Sequence, residues 1–369
     1  MTSSDLYPVS RLAAVQEATA KSGLDALLLT PGPDLRYVSG YDAKPLERLT
    51  CLVVPAVGEP YMMVPRLELP AAEASPASRL GLEFVAWDET DDPYAIAAAR
   101  LGDVGKVGLA DRMWAMSSLR FRDVLPGAEQ VLAGSVLREL RMRKSPAEVA
   151  ALCEAGEAID AVHRRVPEFL RAGRTEREVG RDIAEAILAA GHETVDFVIV
   201  ASGPNGASPH HDVSDRVIQA GEPVVVDIGG QLHNGYCSDS TRTYSVGEPP
   251  AEFRAYYEVL QRAQEAACAA VRPGVSCESV DAAARDVIAE AGYADYFIHR
   301  TGHGIGIETH EEPYIVSGNG EPLEPGFAFS VEPGIYLPGR HGARIEDIVV
   351  CSDNGGDRLN NTPRDLVIV

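Results

Sequence analysis

The stretch EPVVVDIGGQLHNGYCSDSTRTYSV, residues 222–246, decides how the second half of the chain is built. Two strand-like runs, EPVVVDIGG and DSTRTYSV, flank His233-Asn234-Gly235, and an Asn-Gly pair marks a hairpin turn. Each run carries one aspartate, Asp227 and Asp239. If the turn centres on His233, these two stand opposite each other on one side of the sheet. Directly opposed carboxylates repel, and a cation between them removes the repulsion. A strict two-residue turn at Asn234-Gly235 would misalign the pair, so a longer loop or a bulge at Gly229-Gly230 is expected. The alternative is two independent strand-end aspartates at the surface.

Three later stretches carry side chains of matching chemistry: HRTGHGIGIETHEEP (299–313), SVEPGIY (330–336) and ARIEDI (343–348). The glycines around His303 let backbone approach closely and leave the imidazole uncrowded. Their spacing is not that of a phosphate-cradling G-x-G-x-x-G loop, and a hydrogen-bonded loop histidine is the plainer alternative. Glu332 interrupts an apolar strand, and Pro333 holds it extended. Arg344 and Glu346 alternate along one strand and so share a face. An acid facing inward is expensive unless paired, and Arg344 alone could neutralise Glu346. Taken together, Asp227, Asp239, His303, Glu332 and Glu346 form a thiolate-free O/N set that suits Mn²⁺, Co²⁺, Fe²⁺ or Zn²⁺. Five side chains are too many for one small ion with an open position, so two divalent ions are expected. Two ions sharing a water would lower its pKa and create a hydroxide nucleophile.

Outward from these stretches, the second half reads as α+β. Ser145, Pro146 and Glu148 form an N-cap, a proline at the first helical position and a capping-box acid, opening a helix expected to reach about Leu170. Helices follow over 175–191, 251–271 and 279–292, and strands return in FAFSVEPGIYL, RIEDIVVCS and RDLVIV. The first half alternates strands (25–30, two within 48–68, 82–88, 106–110) with helices (10–22, 93–102, 113–125), the pattern of an α/β domain. The expected organisation is a domain over 1–135, a linker over 136–146 and a catalytic domain over 147–369.

The 369 residues carry 33 Lys+Arg against 55 Asp+Glu, a net charge of −22 that repels a phosphate backbone and argues against nucleic acid as a partner. Six dispersed cysteines with no C-x-x-C suit free thiols in a reducing compartment. The N-terminal stretch lacks a basic region followed by an apolar core, and no run of about 18 apolar residues exists to span a membrane. A cytoplasmic location is expected.

The ordered set Asp227, Asp239, His303, Glu332, Glu346, at intervals of 12, 64, 29 and 14 residues, resembles that of the "pita-bread" metallopeptidases, the family of Xaa-Pro dipeptidase (prolidase), aminopeptidase P, methionine aminopeptidase and creatinase. The resemblance covers essentially the whole chain. SGLDALLLTPGPDLRYVSGY (22–41) is similar to the family's creatinase-like N-terminal domain. It implies an α/β creatinase-like domain followed by an α+β pita-bread domain with a curved mixed or antiparallel sheet. It further implies that Asp227 binds one ion, Asp239 and Glu346 bridge two, and His303 and Glu332 bind the second, with Glu332 also relaying protons. By the same resemblance His210 is a catalytic and substrate-binding residue at a pocket position of the proline-specific members, His299 lines the proline pocket, His310 binds substrate and donates to the oxyanion of the tetrahedral intermediate, and Arg344 orients ligands or holds a charge network. Thr309-His310 stands where the family usually has Val-His. No ligand is substituted, which argues against creatinase and against the non-catalytic pita-bread proteins. The implied function is hydrolysis of the Xaa-Pro bond of dipeptides with two divalent ions, Mn²⁺ first, by a homodimer. The alternatives are aminopeptidase P, acting on longer peptides, and a non-catalytic peptide-binding module.

Overall fold

The computed structural model describes residues 6–369. Residues 1–5, where the stretch read as free of a leader begins, lie outside the described residues. The chain divides into two compact units, Met1–Arg141 and Met142–Val369.

In the first unit, strands β1 (Ala26–Leu29), β2 (Cys51–Pro55), β3 (Tyr61–Pro65), β4 (Glu83–Trp87), β5 (Lys106–Leu109) and β6 (Glu129–Leu132) form one sheet in the order β4-β3-β2-β1-β5-β6. The β1–β2 and β2–β3 pairs are antiparallel, the others parallel. Parallel pairs need covered crossovers, which is why the central strand β1 reads as the unbroken apolar run ALLL and is buried throughout. Helix Val9–Lys21 buries Leu12, Val15 and Thr19 on one face and stops at Gly23, whose φ of 68° is the left-handed value glycine favours. Strand β6 and helices Pro33–Ser39 and Leu69–Ala74 are additions to the sequence reading; each is short, so its periodicity is weak. Much of the stretch expected as a linker is helical, Gly134–Met142.

The second unit holds β7 (His192–Ser202), β8 (Glu222–Leu232), β9 (Cys237–Val246), β10 (Gly302–Gly304), β11 (Glu311–Ile315), β12 (Ala328–Val331), β13 (Gly334–Leu337), β14 (His341–Arg344), β15 (Asp347–Ser352), β16 (Gly355–Arg358) and β17 (Val367–Ile368). They form three ladders, β17-β9-β8-β7, β11-β10-β12-β15-β16 and β13-β14. All pairs are antiparallel except β17–β9, which is parallel, so the set is mixed. The long strand β7 escaped the sequence reading. Its alternation of Val195 and Phe197 with Thr194 and Asp196 is short, because as an edge strand it is buried on only part of its length.

Helices Pro146–His163 and Glu176–Ala189 bury Ile159, Val162, Val179 and Ile183 against Val224, Val226 and Ile228 of β8. Helices Ala251–Ala270 and Cys277–Glu290 bury Phe253, Leu260 and Val280 against Phe329, Ile335 and Val349. Both helices of the first pair open with a capping box, Ser145/Glu148 and Thr175/Glu178, each worth about 1 kcal/mol. The first helix ends at His163, short of Leu170. Pro167 has no N–H to offer the carbonyl of His163, and that carbonyl accepts from Tyr244 Oη at 3.1 Å instead. Among the described residues no disulfide forms, and no helix is long and apolar enough to cross a membrane.

Candidate metal centre

The β8–β9 hairpin runs without a bulge and turns about Asn234, with Gln231 paired to Cys237. The expected alignment of the two aspartates is therefore corrected. Asp227 pairs with Thr241 and Asp239 with Gly229, so the carboxylates are diagonal neighbours, two residues out of register. Because the offset is two, they still share one face of the sheet. The register shifts fall on the neighbouring strand β7, between His192 and Thr194 and between Val195 and Phe197. Gly229 and Gly230 serve that close approach: a Cβ at Gly230 would lie 2.3 Å from the carbonyl oxygen of Thr194.

His303 reaches the same face from β10. A Cβ at Gly302 would stand 1.8 Å from the carbonyl of Ser330, so only glycine lets this strand pack so near its neighbour. The His303 ring bonds the carbonyl of Gly304 through Nδ1 at 3.1 Å. A carbonyl can only accept, so Nδ1 carries a proton and Nε2 is the nitrogen that faces the acids, able to donate to Glu332 when protonated and to offer a lone pair to a cation when not. Nε2 lies 3.2 Å from Glu332 Oε1 and 3.7 Å from Asp239 Oδ2. Glu332 occupies the break that Pro333 makes between β12 and β13, and Ser330 Oγ donates to its Oε1 at 3.1 Å.

Glu346 occupies a second break, between β14 and β15, so the run read as one strand is two. The amide of Glu346 donates to Thr241 O, and Thr241 Oγ1 donates to Glu346 Oε2 at 2.8 Å. These bonds draw β14 and β15 onto β9 and bring Glu346 to Asp239. Arg344 forms no ion pair with Glu346 among the described residues. Its Nη2 pairs with Asp227 Oδ2 at 2.5 Å, while Nη1 donates to Tyr336 Oη at 2.7 Å and Nε to Thr241 Oγ1 at 3.1 Å. Once the strand is broken at Ile345, alternation no longer places Arg344 and Glu346 on one face.

Ligand atoms of Asp239, His303 and Glu346 all lie within 4.8 Å of one another. Burial, then the charges of Glu346, Asp227 and Glu332, push Asp239 well above the usual carboxylate range. Burial, then Glu332 and Asp227, do the same to Glu346. Burial also works to raise Glu332, but the hydrogen bond and charge of His303 outweigh it and hold that group at about 2. Asp227 Oδ1 is buried and has no hydrogen-bond partner among the described residues. A crowd of buried acids with one orphaned oxygen is costly on its own, and divalent cations relieve it. The donor set, carboxylates with one imidazole and no thiolate, fits such ions.

All nine residues singled out from the sequence line one cavity of about 700 Å³ within the second unit, a size suited to a small ligand. His299 bonds Tyr336 Oη through Nε2 at 2.8 Å, and burial lowers its pKa. The ring of His310 lies 4.0 Å from that of His303, centroid to centroid. Desolvation at the cavity wall, then the His303 charge, lower the pKa of His310, which keeps it neutral. His210 is exposed to the cavity, and among the described residues its ring makes no hydrogen bond. The sequence reading missed Tyr336, whose hydroxyl joins His299 to Arg344. It also missed Phe197 and Ile199 of β7, and Arg300, stacked 4.3 Å over the ring of Tyr314. Arg300 sits inside the quoted HRTGHGIG stretch, so its position was readable and its direction was not.

A family model described as metallopeptidase family M24 matches residues 150–353, and one described as the creatinase/prolidase N-terminal domain matches residues 11–143. The chain belongs to metallopeptidase family M24. It is a two-domain hydrolase of the creatinase N-terminal and pita-bread type. A probable dipeptidase PepE of Mycobacterium tuberculosis is 57% identical over 360 residues, 97% of this chain and 96% of the relative. An Xaa-Pro dipeptidase of Lactobacillus helveticus is 35% identical over 96% of this chain and 98% of its own length. The crystal structure of dipeptidase PepE from Mycobacterium ulcerans superposes with a TM-score of 0.92 at 57% identity, covering 98% of this chain and 97% of that one. In this M24 peptidase the buried acids around His303 accordingly form the candidate metal centre.

Proposed function

We propose that the protein is an Xaa-Pro dipeptidase whose centre takes two divalent ions, Mn²⁺ first, with Co²⁺, Fe²⁺ and Zn²⁺ as alternatives. The observation that carries the reading is the buried acid cluster on one wall of the cavity, with Asp227 Oδ1 lacking a partner among the described residues. Asp227, Asp239, His303, Glu332 and Glu346 would hold the ions. When bound, such ions polarise a carbonyl and acidify a water molecule.

The chain's own residues do the rest. Glu332, held ionised beside His303, accepts a proton from the attacking water and returns it to the leaving nitrogen. Neutral His310 donates to the oxygen of the scissile carbonyl as charge builds there. His210 and His299 line the space for the proline ring, which carries no N–H and needs no acceptor. Arg344 keeps Asp227 aimed at the centre.

Arg300 favours dipeptides over longer chains. It lines the cavity, is half-buried on Tyr314, and among the described residues pairs with no carboxylate. It can therefore receive the terminal carboxylate of a dipeptide, which a longer peptide does not place there. We also propose a cytoplasmic homodimer, in line with the family resemblance; light scattering tests the dimer and cell fractionation the location. The deciding experiment compares Ala-Pro with Ala-Pro-Ala after EDTA treatment and reloading with each metal. Restored turnover with Ala-Pro preferred is expected. Preference for the tripeptide would move the assignment to aminopeptidase P. Hydrolysis indifferent to EDTA and to added metal would remove the metal-dependent reading.

A further inference from the structure

Glu176 is fully buried at the start of helix Glu176–Ala189, and nothing in the proposed chemistry uses it. Its Oε1 accepts from the amide and the hydroxyl of Ser202 at 2.8 and 2.7 Å and from Asn205 Nδ2 at 3.0 Å. Its Oε2 accepts from Asn205 Nδ2 at 3.1 Å, His211 Nε2 at 2.8 Å, Ser214 Oγ at 2.5 Å and the Ser214 amide at 3.3 Å. A buried carboxylate is costly unless its lone pairs are filled. This one fills them from a single loop, taking donors near its entry, in its middle and at its exit.

That loop carries His210. The ring of His210 is exposed to the cavity and has no hydrogen bond among the described residues, and Pro204, Ser208 and Asp212 around it are exposed as well. Neither packing nor a partner fixes the imidazole, so its place is the place of its backbone. Besides Glu176, the backbone near it is held by Arg344 Nη2, which donates to the carbonyl of Pro209 at 3.2 Å. We infer that Glu176 is a positioning residue for the peptidase reaction: it pins the 202–214 loop at Ser202, Asn205, His211 and Ser214 and so holds His210 against the substrate cavity. The inference rests on the reading that His210 meets the substrate.

The test is a double-mutant cycle in the full-length, metal-loaded protein with Ala-Pro as substrate. Glu176→Gln keeps the shape of the side chain but replaces one acceptor with a donor that faces donors. It should lower kcat/KM about tenfold, the lower end of what outer partners of a site residue contribute, while leaving the metal-induced rise in Tm unchanged. His210→Asn should also lower kcat/KM, and the double variant should be no worse than His210→Asn alone to within about twofold. Should Glu176→Gln fail to fold, Asn205→Ala removes the donor that touches both oxygens and must show the same non-additivity. Losses that multiply would overturn the inference alone, as would loss of the metal-induced rise in Glu176→Gln. Unchanged activity in His210→Asn would overturn both the inference and the role given to His210.

Discussion

Replacing Arg344 with methionine separates two ways of compensating the same buried charge. Arg344 Nη2 lies 2.5 Å from Asp227 Oδ2 with both side chains largely buried, and the other oxygen of Asp227 has no partner among the described residues. Without metal, removing one member of a buried ion pair leaves the other uncompensated, at a cost of about 3–5 kcal/mol. With divalent ions against Asp227, the carboxylate is already neutralised, and the substitution costs the lost hydrogen bonds to Tyr336, Thr241 and the Pro209 carbonyl, about 1–2 kcal/mol. The difference of about 2 kcal/mol corresponds to about 4–8 °C in Tm for a unit of this size. By linkage, the Tm rise on adding Mn²⁺ to EDTA-treated protein should be larger by that amount in Arg344→Met than in the unaltered protein. The assay is a pair of circular-dichroism melts for each protein, in EDTA and in saturating Mn²⁺. An equal or smaller rise in the variant would refute the reasoning, because the ions would then not take over the charge compensation that Arg344 gives Asp227.

Asp239→Asn should abolish the metal-induced rise in Tm and lower Ala-Pro hydrolysis beyond the roughly 10–100-fold typical of an outer-shell partner; near-normal turnover would remove Asp239 from the ligand set. Arg300→Gln should raise KM for Ala-Pro about tenfold, the loss of roughly 1.4 kcal/mol of charge-assisted binding, with little change for Ala-Pro-Ala; equal effects on both substrates would exclude carboxylate recognition by Arg300. His163 is buried behind the sheet, bonded to Tyr244 Oη and the Ser240 carbonyl, and burial holds its pKa at about 3, below the ordinary 6.5. Its folded form stays neutral while the unfolded chain gains a proton, so its contribution is complete above pH 6.5 and falls by about 1.4 kcal/mol per pH unit below it. The stability difference between wild type and His163→Gln, from urea unfolding, should therefore shrink by ~2 kcal/mol between pH 6.5 and pH 5; a constant difference would show that His163 binds its proton in the folded state.

The helices with paired start and stop signals were legible in the linear chain because those signals are local. Ser145-Pro146 with Glu148, Thr175 with Glu178, and Gly23 each act within one turn of backbone. The edge strand β7 was not legible, because partial burial blurs the period of two that marks a strand. The helix end at His163 carried a local signal, since Pro167 four residues on has no N–H for its carbonyl; only the group that claims that carbonyl, Tyr244, 81 residues away, was out of reach of the sequence.

The same division runs through the candidate centre. The identities and order of Asp227, Asp239, His303, Glu332 and Glu346 are properties of the sequence alone, since acids and an imidazole at those intervals follow from no local structural need. Tertiary structure decided how they face one another. A one-residue change in the turn centre moved the two aspartates from opposed to diagonal, and the break at Ile345 and Glu346 sent Arg344 to Asp227. It also decided which unremarked residues joined them: Tyr336 between His299 and Arg344, and Glu176 beneath the loop of His210. Side-chain chemistry is written residue by residue, but charge compensation depends on distances across sheets, and only the packed chain sets those.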